Sequence, residues 1–235
     1  GWIDDPSNEN VAFERIKMRT ALPQLDKMGL TVDTLARSAK NLYSAREALS
    51  HYAGKVSADI CSFNLGIVGF DNEGFLAQPE DMQRRLLNAA LRCVTNTDYV
   101  PRGVSVGLAL NTIVEGKSFN LHGCLILTRQ NAIEIGREPA AVSDIRCPST
   151  DIWDNNWMIS GLAPPDSFIA PLGEDGVSQL PGWREKNISR RHAVALPGLW
   201  LQGELLGSPL GENGKDFNWK TKCDEIRYQT ILLSH

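Results

Sequence analysis

Residues 60–74 read ICSFNLGIVGFDNEG, and this stretch separates a helical pattern from a β pattern. Its apolar side chains, followed by Asp71-Asn72-Glu73-Gly74, are typical of two strands joined by a turn. The sequence before it has helical periodicity, and the sequence after residue 118 is mainly of strand type. We therefore predict an α+β fold with two parts. Residues 1–56 form a linker and helical subdomain, and residues 57–235 form a mixed α/β module with β-hairpins, with a further boundary near residue 117 left open.

The N-terminal part has the pattern of two helices. Ser7 and Asn8 can cap a first helix from about Glu9, which Pro23 should end or kink. The second helix is capped by Thr31, and its apolar residues recur every three or four positions, as on one apolar face of an amphipathic helix. These residues are Leu35, Ala39, Leu42, Ala45, Leu49 and Tyr52.

The later part alternates between short helices and strands. Pro79 opens a helix that should run to about Thr95, and residues 101–115 predict a shorter one. A hairpin is predicted over residues 119–135 and a tight one over residues 153–157. Residues 168–172 and 226–233 are interpreted as strands, and residues 163–182, rich in Pro and Gly, as largely loop.

Composition is that of an ordinary globular protein. The chain has 235 residues, 42% of them hydrophobic and 22% charged, which excludes disorder as its main state. No apolar run approaches the roughly 20 residues of a membrane-spanning helix. The five cysteines are odd in number and have no C-x-x-C pair, which indicates a cytoplasmic protein without a disulfide framework. Gly rather than Met at position 1 suggests part of a longer protein.

Nucleotide-binding and metalloprotease motifs are not found. The sequence has no G-x-G-x-x-G, G-x-x-x-x-G-K-[ST] or H-E-x-x-H. His122 and Cys124 have the residue types of a metal pair or of a nucleophile with its base, but a buried Cys124 is the simpler interpretation. We therefore assign no catalytic residue and no metal ligand.

Basic residues supply the remaining candidates. Arg15 and Arg19 are four positions apart, so both guanidinium groups could reach phosphate from one face of a helix, with Lys17 beside them. Surface ion pairs with Glu14 or Asp26 are the alternative. Arg37 and Lys40, on the polar face of the second helix, are further candidates for RNA contact.

A second basic cluster lies beside an aromatic residue. Arg184, Lys186, Arg190, Arg191 and His192 follow Trp183, with Glu185 among them. Such a mixture suits contact with an RNA backbone and stacking on bases. Because the net charge is −4, any such contact must be local. A solvated loop is the alternative.

The N-terminal stretch resembles a known family. Residues 2–8 read WIDDPSN and are followed by Phe13, Arg15, Arg19 and Leu22-Pro23. This pattern is similar to the signature that follows the catalytic domain in bacterial tRNA(Ile)-lysidine synthetases. Gly136-Arg137-Glu138-Pro139 and Trp153-Asp154 resemble the C-terminal region of alphaproteobacterial members. Ile16 departs from the family, which usually has Asn there.

The resemblance implies a role in tRNA modification. Members use ATP with Mg²⁺ to adenylate the wobble cytidine of tRNA(Ile) with an unmodified CAU anticodon, and lysine then displaces AMP. Their S-G-G-x-D-S loop is not found here, so we expect an inactive, tRNA-binding fragment that partners its own N-terminal catalytic domain. Arg15 and Arg19 would contact ATP or tRNA phosphates, and Asp5 and Asn8 would shape the turn.

Two other functions stay open at this stage. A stand-alone RNA-binding or scaffold module without chemistry would bind tRNA in the absence of any upstream catalytic domain. A Cys/His metalloenzyme would need stoichiometric metal in the purified protein.

Overall fold

The computed structural model describes residues 14–211 and 217–234, with side chains from Lys17 onward. It divides into two compact units, residues 1–50 and residues 51–235. The division falls inside one long helix, and the boundary at residues 56 and 57 stays a prediction. The α+β class is confirmed, with helices at the N-terminal end and antiparallel hairpins after them. Asp5, Asn8 and the predicted start of the first helix lie outside the described residues.

The first unit contains helix α1 (Glu14–Lys27) and the beginning of α2 (Val32–Ile60). The predicted cap of α2 is confirmed, because Thr31 Oγ1 accepts a hydrogen bond from the Thr34 backbone N–H at 3.1 Å. Pro23, by contrast, lies within α1, which continues to Lys27, so of the two effects expected of this proline the end of the helix is not found. Proline removes only one N–H donor, and the residues after it can still bond within the helix.

The apolar stripe of α2 is largely exposed. Leu42 is 72% exposed, and Leu35 and Leu49 are each 39% exposed. Among residues 17–50, only Ser50 is buried. The helix and its apolar stripe are thus as predicted. The stripe is nevertheless exposed, because periodicity defines a face while burial requires a second surface to cover it.

A five-stranded antiparallel sheet forms the first core of the second unit. Its strand order is β1-β2-β5-β4-β3. The strands are β1 (Cys61–Asn64), β2 (Ile67–Asp71), β3 (Phe119–Leu121), β4 (Cys124–Thr128) and β5 (Ala132–Arg137). The sheet takes strands from both sides of residue 117, so a boundary there would pass through it.

The β1–β2 hairpin differs in detail from its prediction. Its turn is at Leu65 and Gly66, whose φ angles are 50° and 72°. Both residues are left-handed, as in the tight turns that match strand twist. The stretch after Asp71 is a short helix, α3 (Asn72–Leu76), because the Asp71 carboxylate accepts a hydrogen bond from the Gly74 N–H at 2.7 Å.

Three helices belong to the same core. They are α4 (Glu80–Thr95), α5 (Gly103–Val114) and α9 (Glu225–Leu233). The first two are close to their predicted positions, whereas the prediction of a strand over residues 226–233 is wrong. Asp224 caps α9 by accepting from the Arg227 N–H at 2.8 Å. The buried Tyr228, Ile231 and Leu232 recur at helical spacing, and Tyr228 donates to the Leu86 carbonyl on α4.

The second core lies between smaller sheets and short helices. One sheet has the order β10-β9-β8-β6, and β7 pairs with β11 in another. The strands are β6 (Cys147–Pro148), β7 (Trp157–Gly161), β8 (Phe168–Pro171), β9 (Pro197–Leu201), β10 (Glu204–Gly207) and β11 (Phe217–Thr221). The short helices are α6 (Pro139–Val142), α7 (Gly173–Ser178) and α8 (Arg190–Ala193).

These elements partly differ from their predictions. The tight turn at Trp153–Trp157 and the strand beginning at Phe168 are present as predicted. The segment interpreted as loop contains α7 as well, so that prediction is wrong over residues 173–178.

Polar contacts join the two cores. The Arg137 guanidinium on β5 donates to both carboxylate oxygens of Asp154, at 2.6 and 2.8 Å. The buried Asn156 side chain donates to the Val94 carbonyl on α4 and accepts from the backbone N–H groups of Lys222 and Cys223. Residues 154–156 therefore tie the sheet and helix of the first core to the chain leading into α9.

Candidate nucleic-acid interface

Trp183 anchors the basic segment. It begins a turn of 3-10 helix (Trp183–Lys186) and is only 7% exposed, within the second core. The Arg184 guanidinium lies 4.8 Å from the centre of its ring. The expectation that Trp183 offers a face to a nucleobase is therefore wrong, because burial of its large apolar ring is favoured and Arg184 covers the ring.

Helix α8 carries two further arginines outward. Ser189 caps it, because its hydroxyl accepts from the His192 N–H at 3.1 Å. His192 and Ala193 are buried, whereas Arg190 and Arg191 are exposed. A single helical turn thus has one face in the core and the other in solvent.

The buried His192 packs against the sheet and so holds this helical turn in place. A Cβ atom at Gly136 on β5 would lie 2.5 Å from the His192 Nδ1 atom, so only glycine leaves room for the imidazole. Burial lowers the pKa of His192 to about 4. The ring is therefore neutral near pH 7, and its role is to hold α8 rather than to add a positive charge.

Ion pairing reduces the charge that the segment can offer to phosphate. Arg190 donates from Nε to the Glu174 carboxylate at 2.8 Å. Arg184, Lys186 and Arg191 are exposed, and no ion pair of theirs is present among the described residues. A groove of about 400 Å³ lies beside Arg190 and Arg191. Three cations, fewer than the sequence predicts, are thus available here.

The candidates of the first unit lie on its two helices. The side chain of Arg15 is outside the described part of the chain, and Lys17 and Arg19 are exposed on α1. Arg37 and Lys40 are exposed on α2, three positions apart and therefore on one face. These residues belong to the first unit, and the basic segment belongs to the second.

The buried cysteines lie in poor surroundings for thiolate chemistry. Cys124 is buried on β4, and burial raises the pKa of its thiol to about 12. Cys93 and Cys223 are also buried, with their Sγ atoms 3.1 Å apart. Within residues 14–211 and 217–234, no three metal-ligating side chains come together.

A pocket of about 660 Å³ was not anticipated from the sequence. It lies where β6 and β8 pair, and its walls include Arg146 and Phe168. These residues are far apart along the chain, and the strand pairing that joins them has no local signal. Among the described residues, no helix is long and apolar enough to span a membrane.

Known proteins match most or all of this chain. A protein of Ruegeria pomeroyi named tRNA(Ile)-lysidine synthase is 33% identical over 234 residues, which is 100% of this chain and 56% of that protein. Along its whole length the chain resembles part of a tRNA(Ile)-lysidine synthase. Proteins of the same name from Anaplasma marginale and Wolbachia pipientis are 29% and 26% identical and match 79% and 92% of the chain.

The match covers only part of each lysidine synthase. The chain spans 42–56% of the length of these three relatives, or about half. This extent is consistent with the C-terminal part that the sequence motifs indicate, so the resemblance is confirmed. No protein-family model matches the chain.

Proposed function

We propose that this chain is the tRNA-binding portion of a tRNA(Ile)-lysidine synthase and has no catalytic activity alone. The observation that carries this proposal is the match to the Ruegeria pomeroyi lysidine synthase, which extends over 100% of the chain. A tRNA-modification role is the part of this proposal that the relatives' shared name supports most directly.

The basic segment supplies a surface for RNA. Arg184, Lys186 and Arg191 are exposed and are carried by elements whose other faces are buried. Cations bind phosphate better when rigid elements carry them, because ordering mobile groups on binding costs conformational entropy. The segment therefore contacts the tRNA backbone, within a chain whose net charge is −4.

The whole protein would carry out the chemistry. In this proposal an N-terminal domain binds ATP with Mg²⁺ and lysine, and the cytoplasmic enzyme converts tRNA(Ile) with an unmodified CAU anticodon. Arg15 and Arg19 neutralise ATP or tRNA phosphates, while Asp5 and Asn8 shape the turn before them. The exposed leucines of α2 pack against that domain, which would account for an amphipathic face without a cover.

The basic segment can be tested by removing its charges. We expect the triple variant Arg184→Gln, Lys186→Gln, Arg191→Gln to bind tRNA(Ile) about 30-fold more weakly near physiological salt. Its plot of log affinity against log salt should be less steep by about 2, because each lost phosphate contact removes roughly 0.7–0.9 from the slope. Filter binding over a range of salt concentrations measures both quantities.

A matched triple variant provides the control. Arg102, Lys117 and Lys220 are exposed bases in the same unit but outside the basic segment. Their replacement by Gln changes the net charge equally and should leave the slope nearly unchanged. Equal effects of the two triple variants would mean that binding is spread over the surface, and the assignment would be wrong.

The role of Arg15 and Arg19 requires the longer protein. We expect Arg15→Glu with Arg19→Glu to reduce lysidine formation about 100-fold, because two phosphate-neutralising charges become repulsive during adenylation. Turnover of tRNA(Ile) with lysine and ATP measures this. Lys27→Glu, which reverses an exposed charge at the end of α1, serves as the control. Wild-type turnover in the double variant would contradict the assignment.

A further inference from the structure

Hydrogen bonds and prolines hold the walls of the pocket that lies where β6 and β8 pair. Its lining residues come from residues 146–150 and residues 163–168. The Ser149 N–H donates to the Ser167 carbonyl at 3.2 Å, which holds the two stretches together. Pro164 and Pro165 lead into Asp166, whose φ is 63°, and the Ser167 hydroxyl donates back to the Pro164 carbonyl at 2.6 Å. Prolines and a closed turn leave little conformational freedom to lose on binding.

Arg146 and Phe168 lie together in the wall of this pocket. The Arg146 guanidinium carbon is 5.4 Å from the centre of the Phe168 ring, within the range of a cation–π contact. Arg146 is exposed and Phe168 is half-buried. Proteins commonly hold an unpaired base against an aromatic ring or an arginine plane.

The charge of the pocket favours a neutral planar group over a phosphate. Among its lining residues, Arg146 and Asp166 are the charged ones, and their formal charges cancel. Asp166 can accept from the amino and ring N–H groups of a base, and the hydroxyls of Ser149 and Thr150 can donate or accept. Its volume of about 660 Å³ lies within the range of about 300–1,000 Å³ that is usual for small-ligand sites.

We propose that this pocket binds one unpaired nucleobase of an RNA, stacked on the Arg146 guanidinium above Phe168. The inference rests on the RNA-binding role proposed above and deepens it. The basic segment contacts phosphates without reading sequence, whereas a pocket that holds a base can discriminate among bases by hydrogen bonds to their edges. The two surfaces therefore contribute differently to affinity and to its salt dependence.

Salt dependence distinguishes a base contact from a phosphate contact. The probes are fluorescein-labelled single-stranded pentanucleotides of A, C or U, together with tRNA(Ile), added to the 235-residue chain. We expect Phe168→Leu to reduce pentanucleotide affinity about 10-fold with the salt slope unchanged, because the Arg146 guanidinium on which the base stacks loses the ring that holds it in place. Arg146→Gln should have a similar effect, and Asp166→Asn should change the preference among the three pentanucleotides.

Matched variants separate the pocket from general damage. Phe119→Leu alters a half-buried phenylalanine of the other sheet, and Arg102→Gln alters an exposed arginine elsewhere. Both should retain wild-type affinity. Circular dichroism of each variant checks that the fold is retained, and the conservative Phe168→Leu keeps most of the apolar volume.

The outcomes separate this inference from the proposed function. If the chain binds tRNA(Ile), and the Phe168→Leu and Arg146→Gln variants bind it as tightly as the wild type, the assignment of the pocket is overturned and the tRNA-binding role is not. Pentanucleotide binding that requires Phe168, without binding of tRNA(Ile), supports the pocket and overturns the tRNA role. Binding of neither RNA overturns both. A polyproline peptide that binds in a Phe168-dependent way, where the pentanucleotides do not, would assign the pocket to a protein ligand instead.

Discussion

Replacing Asn156 by Ala is expected to destabilise the chain by about 3–5 kcal/mol, since each buried polar group left unsatisfied costs roughly 1–3 kcal/mol. Asn156 is 1% exposed. Its Oδ1 atom accepts from the Thr221 hydroxyl and from two backbone N–H groups, each at 3.0 Å. Its Nδ2 group donates to the Val94 carbonyl at 3.2 Å. Alanine would remove this side chain from all four partners. The Lys222 N–H would keep its bond to the Asn156 carbonyl and the Cys223 N–H its bond to the Thr221 hydroxyl.

Urea unfolding followed by tryptophan fluorescence measures this loss. Trp153 and Trp157 flank the Asn156 turn and are buried, so their emission should report on it. The melting temperature should fall by about 10 °C, because 1 kcal/mol corresponds to roughly 2–4 °C in a chain of this size.

An exposed asparagine provides the comparison for Asn156. Asn218 lies on β11 with its side chain in solvent, and Asn218→Ala should change stability by less than about 0.5 kcal/mol. Similar unfolding curves for the Asn156→Ala and Asn218→Ala variants would show that the hydrogen bonds of Asn156 do not stabilise the contact between the two cores.

Neutralising Asp154 is expected to cost about 3 kcal/mol, close to the usual penalty for leaving one buried charge without its partner. The side chains of Arg137 and Asp154 are 16% and 8% exposed. Burial raises the pKa of Asp154, and the Arg137 guanidinium lowers it by less. The pair is thus costly to bury, but breaking it is costlier because Arg137, which also donates to the Gly123 carbonyl, would stay charged without a carboxylate beside it. Asp154→Asn is the suitable variant, since asparagine tolerates the left-handed φ of 48° at this position.

A double-mutant cycle isolates the pair. Asp154→Asn combined with Arg137→Met should be more stable than Asp154→Asn alone, because the second substitution removes the unpaired charge. The Lys117–Glu115 pair, which is exposed, supplies the comparison, and Glu115→Gln should produce no measurable change. Strictly additive effects of Asp154→Asn and Arg137→Met would contradict a coupled ion pair.

Several elements could be predicted from the sequence because the residues that determine them lie within or beside them. Thr31 identified the start of α2, and Pro79 with the acidic residues after it identified α4. The hairpin around residues 129–131 followed from alternation on either side of a polar turn. In each case the cap, turn or period that decides the structure lies within a few residues of the element itself.

The missed elements depend on contacts between distant segments. Residues 226–233 are apolar enough to resemble a strand, and the helix is favoured because Tyr228 and its neighbours pack on α4. The apolar stripe on α2 could be recognised from its spacing in the sequence. Whether that stripe is buried depends on which other segment packs against it. For the same reason Trp183 is a buried anchor rather than a stacking surface.

The sequence by itself determined the fold class, most of the helices, the position of the basic segment and the resemblance to lysidine synthases. The tertiary structure alone decided which basic residues remain available. It pairs Arg190 with Glu174, buries His192 as a neutral ring against Gly136, and brings Arg146 over Phe168. Residue types and their spacing are local properties, whereas burial, ion pairing and stacking depend on segments that only folding brings together.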